Sequence, residues 1–191
     1  KQLYICSKQK IMGSLWKTSL SLFALFILAF IVVGFLLPRE NNFQVSKSVQ
    51  CSPDRVFTMI NELKNWETWS PWQEYDSNMK LNYSEISSGK DAWYTWDGNM
   101  DPAKGKLTIL DCKANEKINM VLNFGDEKPA NCSFTLKPVA EGTKITWSIN
   151  IHGSESAMFS KFLNGYKYVM MKHFLEKDFN RGLDNINKSC Q

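Results

Sequence analysis

The chain has 191 residues, 43% of them hydrophobic and 22% charged, with a formal net charge of +4. That is room for one ordinary domain with a modest appendage, and the composition excludes a disordered chain, a collagen-like repeat and a disulfide-dense scaffold. The charge is unevenly placed: Lys1, Lys8, Lys10 and Lys17 stand among the first 37 residues without an acid, leaving 19 basic against 19 acidic residues in 38–191. A charge-balanced body offers no electrostatic reason to bind a phosphate backbone, so no nucleic-acid partner is expected.

Thr18 to Leu37, TSLSLFALFILAFIVVGFLL, is 20 residues without a charge. At about 1.5 Å per residue, such a helix spans about 30 Å, the hydrocarbon thickness of a bilayer. The expected organisation is a basic segment over 1–17, a transmembrane helix over 18–37, a polar tether over 38–42 and a folded domain over 43–188. A cleaved signal peptide is the alternative, with an apolar region that usually runs about 7–15 residues to a small-x-small site. Here the run is longer and ends Leu36-Leu37-Pro38-Arg39. Four lysines before the span, against Arg39 alone close behind it, put the N-terminus in the cytoplasm and the domain on the extracytoplasmic side. The first methionine is Met12. A start there keeps the span, leaves Lys17 and the terminal amine as inside charges, and does not complete a myristoylation pattern, because Lys17 stands where Ser or Thr is required.

The tether gives way to period-two alternation, with Phe43 and Val45 against Gln44 and Ser46, which predicts a first strand. Ser52-Pro53-Asp54 then predicts a helix start, with Ser52 as N-cap, Pro53 in the first turn and Asp54 favourable to the dipole. Val56, Phe57 and Ile60 share a face of that helix. Leu63 opens a second short helix that ends near Trp66 to Trp69, stopped by Ser70-Pro71. From Met79 to Ile151 the chain reads as about six antiparallel strands. Leu81 and Tyr83, Tyr94 and Trp96, Leu107 and Ile109, and Ile118, Met120, Leu122 and Phe124 alternate with polar neighbours. So do Cys132, Phe134 and Leu136, then Ile145, Trp147, Ile149 and Ile151. Turn signals separate them at Asp97-Gly98-Asn99, Gly125-Asp126 and Glu141-Gly142-Thr143. Such alternation leaves one apolar face to be covered. Ser156 to Asn187 supplies the cover: Phe159, Phe162, Leu163, Tyr166, Val169, Met170, His173 and Phe174 recur every three or four residues, with Lys161, Lys167, Lys172 and Lys177 largely elsewhere. Gly165 near its start suits a bend or close packing.

This order of elements is that of the α+β helix-grip fold, a curved antiparallel sheet around a long C-terminal helix. Ser52-Pro53-Asp54-Arg55-Val56-Phe57, Leu63-Lys64-Asn65-Trp66 and Trp69-Ser70-Pro71-Trp72 resemble the opening of SRPBCC proteins, the START-related polyketide cyclase/dehydrase and lipid transport superfamily. Tyr94 to Asn99, Gly105 to Ile109 and Gly142 to Trp147 are similar to its later strand signatures. The resemblance covers about residues 43 to 188 and excludes the anchor. Its motifs are structural rather than catalytic. It implies a cavity between sheet and helix, which here would be lined by Tyr94, Trp96, Ile109, Met120, Leu122, Phe134, Trp147 and Ile149, facing Phe162, Tyr166, Val169 and Met170. Large apolar walls with a few polar tips suit a hydrophobic small molecule or lipid. A solid core is the competing expectation for the same residues.

Other side chains are read more plainly. Trp66, Trp69 and Trp72 are expected to pack the short helices onto the sheet rather than to form a lip at a cavity mouth. His152 and His173, the two histidines, show no carboxylate or serine partner at catalytic spacing, so no catalytic residue is assigned. Asp97 and Asp101, near Glu85 or Asp91, read as solvated loop acids. No Cys/His/Asp/Glu cluster has metal-ligand spacing and no glycine loop cradles phosphate, so neither metal nor cofactor is expected. Cys51, Cys112, Cys132 and Cys190 lie in the domain, and Cys6 precedes the span. The four form up to two disulfides in three full pairings, or stand as isolated core residues. The leading expectation is a membrane-tethered domain that binds a hydrophobic ligand without chemistry. The alternatives are a cyclase or hydrolase-type enzyme using groups such as Tyr94, Tyr166 and His173, and an envelope interaction protein without a ligand. Nothing in the sequence identifies a protein partner.

Overall fold

The computed structural model describes residues 2–37, 42–76, 78–99, 102–125, 128–151 and 158–190, and the side chains among them except those of 2–15, 158–162 and 164. The tether residues 38–41, Asp101, Asp126, His152 and Ser156 therefore lie outside the described residues, as do Lys1 and the side chains of Cys6, Lys8, Lys10, Met12, Phe159, Lys161 and Phe162.

Helix α1 runs Gln2–Leu36, so helical structure continues well before the apolar run that predicted it. Strand β1 (Asn42–Val49) leads to α2 (Pro53–Asn61), a 3-10 turn (Leu63–Asn65) and the short helices α3 (Trp66–Trp69) and α4 (Pro71–Tyr75). Then follow β2 (Lys80–Tyr83), β3 (Trp93–Asp97), β4 (Lys104–Lys113), β5 (Lys117–Asn123), β6 (Ala130–Val139), β7 (Gly142–Asn150) and α5 (Met158–Lys188). Helix α4 was not expected from the sequence. Ser70-Pro71 does stop α3, with Ser70 extended at ψ 128°, but the same proline opens α4 from its first turn. The seven strands form one antiparallel sheet in the order β1-β7-β6-β5-β4-β3-β2, a meander whose first strand is returned beside its last. With the long C-terminal helix this is the α+β helix-grip fold.

Two compact units divide the chain: Lys1–Arg39 with Ser154–Val169, and Glu40–Gly153 with Met170–Gln191. In the first, Tyr166 stacks on Phe30 with ring centroids 4.6 Å apart, and its hydroxyl donates to the Phe30 carbonyl at 2.6 Å. In the second, alternation along the strands does what the pattern predicts. Thr143, Ile145, Trp147 and Ile149 of β7 are buried, as are Ala130, Cys132, Phe134 and Leu136 of β6 and Ile118, Met120 and Leu122 of β5. The pairing register shifts between Ile109 and Asp111, and Leu110, at the shift itself, is exposed.

The face of α5 that the sheet covers is not the one the sequence singled out. Phe179, Gly182, Leu183 and Ile186, spaced i, i+3, i+4 and i+7, are buried, whereas Val169, Met170, His173 and Phe174 are exposed. Both halves of the helix carry a 3.6-residue apolar period, and periodicity alone does not say which stretch the sheet reaches. A Cβ on Gly182 would stand 2.9 Å from the Trp147 ring, so glycine there sets how closely helix and sheet approach.

A disulfide fastens the same arrangement. Cys51, just before α2, bonds to Cys190, just after α5, with Cα atoms 5.6 Å apart and 139 residues between them. Cys112 is free and exposed, and Cys132 is free and buried. Around the bond, Thr143 Oγ1 donates to the Cys51 carbonyl at 2.7 Å, Gln50 N–H donates to Asn187 Oδ1 at 2.9 Å, and Lys47 pairs with Asp184. Closing so long a loop removes about 4–5 kcal/mol of chain entropy from the unfolded state in the loop-closure treatment. The double variant C51S/C190S is therefore expected to be about 2–5 kcal/mol less stable than the wild type, read as a lower denaturation midpoint that reductant does not lower further.

Candidate functional site: the inward face of the sheet

The register assembles the inward face as rows across the strands. One row is Tyr94–Leu107–Leu122–Ala130, and the next is Ile109–Met120–Cys132–Ile149–Phe43. A third runs Ile118–Phe134–Trp147–Val45. Tyr94, Ile109, Met120, Leu122, Phe134, Trp147 and Ile149 are buried on this face, and Trp96, half-buried, shares the inward phase of β3 with Tyr94. Of the four helix residues proposed to face them, Val169 is 46% and Met170 60% exposed. Tyr166 uses its hydroxyl on Phe30, and the side chain of Phe162 lies outside the described residues.

The third row is filled by aromatic rings. Trp147 lies between Phe179 of α5, stacked at 4.0 Å and 6°, and its cross-strand neighbour Phe134 at 4.7 Å and 29°. Trp66, Trp69 and Trp72 meet Trp147 edge-on at 6.3, 5.7 and 5.7 Å. Edge-to-face and offset geometry puts positive ring edges against negative faces, and each such pair contributes about 0.5–1.5 kcal/mol beyond burial. The tryptophan cluster thus packs the short helices onto the sheet.

The indole donors explain why tryptophan occupies these positions. Helix α2 ends with carbonyls that no later turn of the helix can satisfy. Trp66 Nε1 donates to the Ile60 carbonyl at 2.8 Å and Trp69 Nε1 to the Met59 carbonyl at 3.0 Å, while Asn65 Nδ2 donates to the Thr58 carbonyl at 3.3 Å. Apolar rings thereby fill the interior while their N–H groups close the helix end. Trp72 Nε1 donates to Asp178 Oδ2 at 3.2 Å and Tyr75 Oη to Asp178 Oδ1 at 2.8 Å, fixing α4 on α5. Neither Asp178 nor the Phe179–Leu183–Ile186 stripe was singled out from the sequence. The signal available for the stripe was the i, i+3, i+4, i+7 period, masked by the more aromatic segment before it.

Toward the Tyr94 row the face changes character. Tyr94 has Trp66, Tyr83 and Trp96 around it at 6.0, 5.9 and 6.0 Å, with Phe124 on the far side of Trp96 at 5.9 Å. Trp96 Nε1 donates to the Pro102 carbonyl and Tyr83 Oη to Glu67 Oε1. The Tyr94 hydroxyl has no hydrogen-bond partner among the described residues. Burial, with a smaller contribution from Cys132, pushes its ionisation above the usual tyrosine range, so it remains a neutral donor. The Cys132 thiol is pushed up to about 12 by burial, against a lowering contribution from the Trp147 indole N–H that it accepts at 3.3 Å. Neither group is poised as a nucleophile at neutral pH. His173 is exposed, with Phe174 as its ring neighbour at 5.9 Å. No group of three or more metal-ligating side chains occurs among the described residues.

Two shallow surface depressions lie elsewhere. One is lined by Cys51, Pro53, Pro138 and Gly142 at the disulfide end, and the other by Glu74, Asn180, Arg181 and Asp184 on the outside of α4 and α5. In the second, Arg181 pairs with Glu74 and Asn185 Nδ2 reaches Glu74 and the Trp69 carbonyl, a set of contacts that binds the two helices together.

Residues 41–191 match the family profile described as polyketide cyclase / dehydrase and lipid transport. No curated protein matches the chain. Among solved structures, SA2116 from Staphylococcus aureus, a protein of unknown function, is similar with a TM-score of 0.58 at 11% identity, over 78% of this chain and 94% of that one. A solution structure from Staphylococcus epidermidis has a TM-score of 0.57 at 13% identity, over 80% and 91%. Protein CV1439 from Chromobacterium violaceum has a TM-score of 0.55 at 12% identity, over 78% and 97%. At such identities the likeness is one of fold.

The buried thiol gives a pH signature. Cys132 loses its proton near 9.0 when unconstrained and near 12 in the folded chain, so above pH 9 the unfolded state binds fewer protons than the folded one. Its contribution is complete below pH 9 and is lost as pH rises toward 12; Cys132→Ala should flatten that part of a stability–pH curve. In a Cys6→Ser chain at pH 8, a thiol reagent is expected to titrate Cys112 alone until denaturant exposes Cys132.

Proposed function

The chain belongs to the polyketide cyclase / dehydrase and lipid transport family, and from that premise we propose that its domain binds a hydrophobic small molecule or lipid against the Tyr94 end of the inward face. The observation that carries this reading is the Tyr94 hydroxyl, a neutral donor with no partner among the described residues, set among apolar and aromatic walls. A ligand that accepts from it while covering the half-buried Trp96 and Phe124 gains a hydrogen bond worth about 0.5–1.5 kcal/mol and apolar burial at about 25 cal/mol per Å². The Phe134–Trp147–Phe179 stack forms the floor and Tyr94 the polar end.

In the same reading, α1 is a single membrane anchor, 38–42 a tether and 43–188 the ligand-binding domain. Trp16–Leu36 is one helix long and apolar enough to cross a membrane, and only 6% of it is buried. A disulfide between Cys51 and Cys190 persists only in an oxidising compartment. That favours a cytoplasmic N-terminus with the domain outside, the orientation the lysines also favour. Tethering then keeps the domain at high effective concentration beside its ligand's bilayer.

Binding is tested on the full chain held in amphipol, with a fluorescent fatty acid as probe. The wild type is expected to saturate, Tyr94→Phe to bind about 2–10-fold more weakly for the loss of one hydrogen bond, and Leu122→Trp to block the site. Wild-type fluorescence that rises without saturation overturns the reading. Orientation has its own test, because Cys112 is an exposed free thiol. In a Cys6→Ser chain, a membrane-impermeant maleimide should label intact cells, and labelling that requires lysis reverses the topology.

A further inference from the structure

The side chains at the Tyr94 end of the inward face sort by charge as well as by polarity. Tyr83 on β2 lies opposite Tyr94 on β3, which lies opposite Leu107 on β4, and Leu81, Trp96 and Gly105 form the next row. A Cβ on Gly105 would stand 2.1 Å from the Trp96 ring, so the indole occupies the space that a side chain there would fill. Two of the three polar tips in these rows are committed. Trp96 Nε1 donates to the Pro102 carbonyl at 3.1 Å, and Tyr83 Oη donates to Glu67 Oε1 at 2.5 Å. The Tyr94 hydroxyl is the third, and it keeps its proton to donate.

Charged groups are placed unevenly about that hydroxyl. Among the described residues, the inward phase of the sheet carries one charged side chain, Lys47, which stands on β1 at the edge opposite β2 and pairs with Asp184. Lys104 and Lys106 of β4 are in the outward phase, the first paired with Asp97 and the second 4.4 Å over the Trp93 ring. Of the two bases between the start of α2 and the end of α4, Arg55 donates to the Ser189 and Cys190 carbonyls and Lys64 is exposed. Acids come closer. Burial first, then the bond to Glu67 and its charge, with Tyr94 and Glu62 behind, raise the Tyr83 ionisation above the usual tyrosine range. The Tyr83 and Tyr94 rings are 5.9 Å apart, so the Glu67 carboxylate lies one phenol away from the Tyr94 end.

We propose that the polar end of the ligand is an uncharged carbonyl, as in an ester, ketone or amide, held by the Tyr94 hydroxyl, and that Glu67 is the residue that selects against anionic heads. This rests on reading the Tyr94 end as a ligand site. A charge taken out of water needs a partner where it arrives. A carboxylate or phosphate head would gain the one hydrogen bond from Tyr94, meet no cation of the inward phase at that end, and be repelled by Glu67. A neutral carbonyl accepts the same hydrogen bond without the desolvated charge or the repulsion, while its apolar body covers Trp96 and Phe124.

The test titrates the full chain, held in a non-ionic amphipol at pH 8 and low salt, with a fluorescent fatty acid and with the methyl ester of the same molecule. The blocked Leu122→Trp chain supplies the background for each probe. Both are expected to saturate, the ester about 10-fold more tightly than the acid. Glu67→Gln keeps an acceptor for the Tyr83 hydroxyl and removes the charge, so it should strengthen the acid about 2–5-fold and leave the ester unchanged. Phe124→Lys puts a cation beside Trp96 and should shift the ratio further toward the acid. Each comparison between chains is a change in the acid-to-ester ratio, so partitioning of the probes into the amphipol cancels. If both probes saturate and the acid binds as tightly as the ester or more so, selection by charge is overturned and the ligand site stands. A ratio that Glu67→Gln leaves unchanged likewise overturns the assignment to Glu67. No saturation with either probe overturns the site and the proposal together.

Discussion

The stack of Trp147 between Phe134 and Phe179 is the contact on which the domain depends, because it is where the sheet and the C-terminal helix become one core. Its two faces lie against rings at 4.7 and 4.0 Å and its edges meet the tryptophans of α3 and α4. Close approach is possible because residue 182 has no side chain. Removing an aromatic ring from such a position costs about 3–5 kcal/mol through lost burial and an unfilled cavity, a large share of the stability of a domain this size. The disulfide at the far ends of α2 and α5 works on the same geometry from outside by limiting how far the helix can depart in the unfolded chain.

From that stack the interior grades from solid to accommodating. The indoles near it have two obligations each, filling volume with the ring and satisfying a carbonyl or carboxylate with the N–H. Trp66 and Trp69 answer the exposed carbonyls of α2, and Trp72 answers Asp178. Groups so committed are poor candidates for orienting anything else. Tyr94, two rows away across the sheet, is under no such commitment among the described residues. The distinction between core and site therefore lies in hydrogen-bond accounting rather than in hydrophobicity, since both regions are apolar.

The same accounting shows what the sequence could convey. Period-two alternation placed the inward residues of every strand from β3 to β7 correctly, because in a sheet the side of each residue follows from its parity. The proline and serine signals at 52–54 located α2, and Ser70-Pro71 marked a real break but hid the helix that starts from it. Ser52 is the N-cap by position, yet its hydroxyl makes no cap hydrogen bond to the backbone. It sits instead with the Asp54 carboxyl, whose ionisation it holds below the usual range. The pairing of Cys51 with Cys190 was one of several open combinations, because it depends on where α5 ends in space. The partners of the indole donors were likewise out of reach, since those of Trp66 and Trp69 are backbone carbonyls and that of Trp72 is a carboxylate 106 residues away, none of which a spacing rule names.

Helix α5 shows most clearly how one pattern can serve two environments. Both of its halves are amphipathic at the same period, and a hydrophobic period records only that a face avoids water. Composition separates them: mixed charge accompanies the half whose apolar face is buried on the sheet, and exclusively basic charge accompanies residues 158–175, of which 169–174 are exposed. Mixed charges suit a surface whose salt bridges are local, such as Arg181 with Glu74 and Lys47 with Asp184. Charges of one sign beside exposed apolar groups repel a like surface and attract an opposite one. In a charge-balanced domain, the net charge of +4 belongs to the segment before residue 38, and the local excess in residues 158–175 is offset elsewhere in the domain.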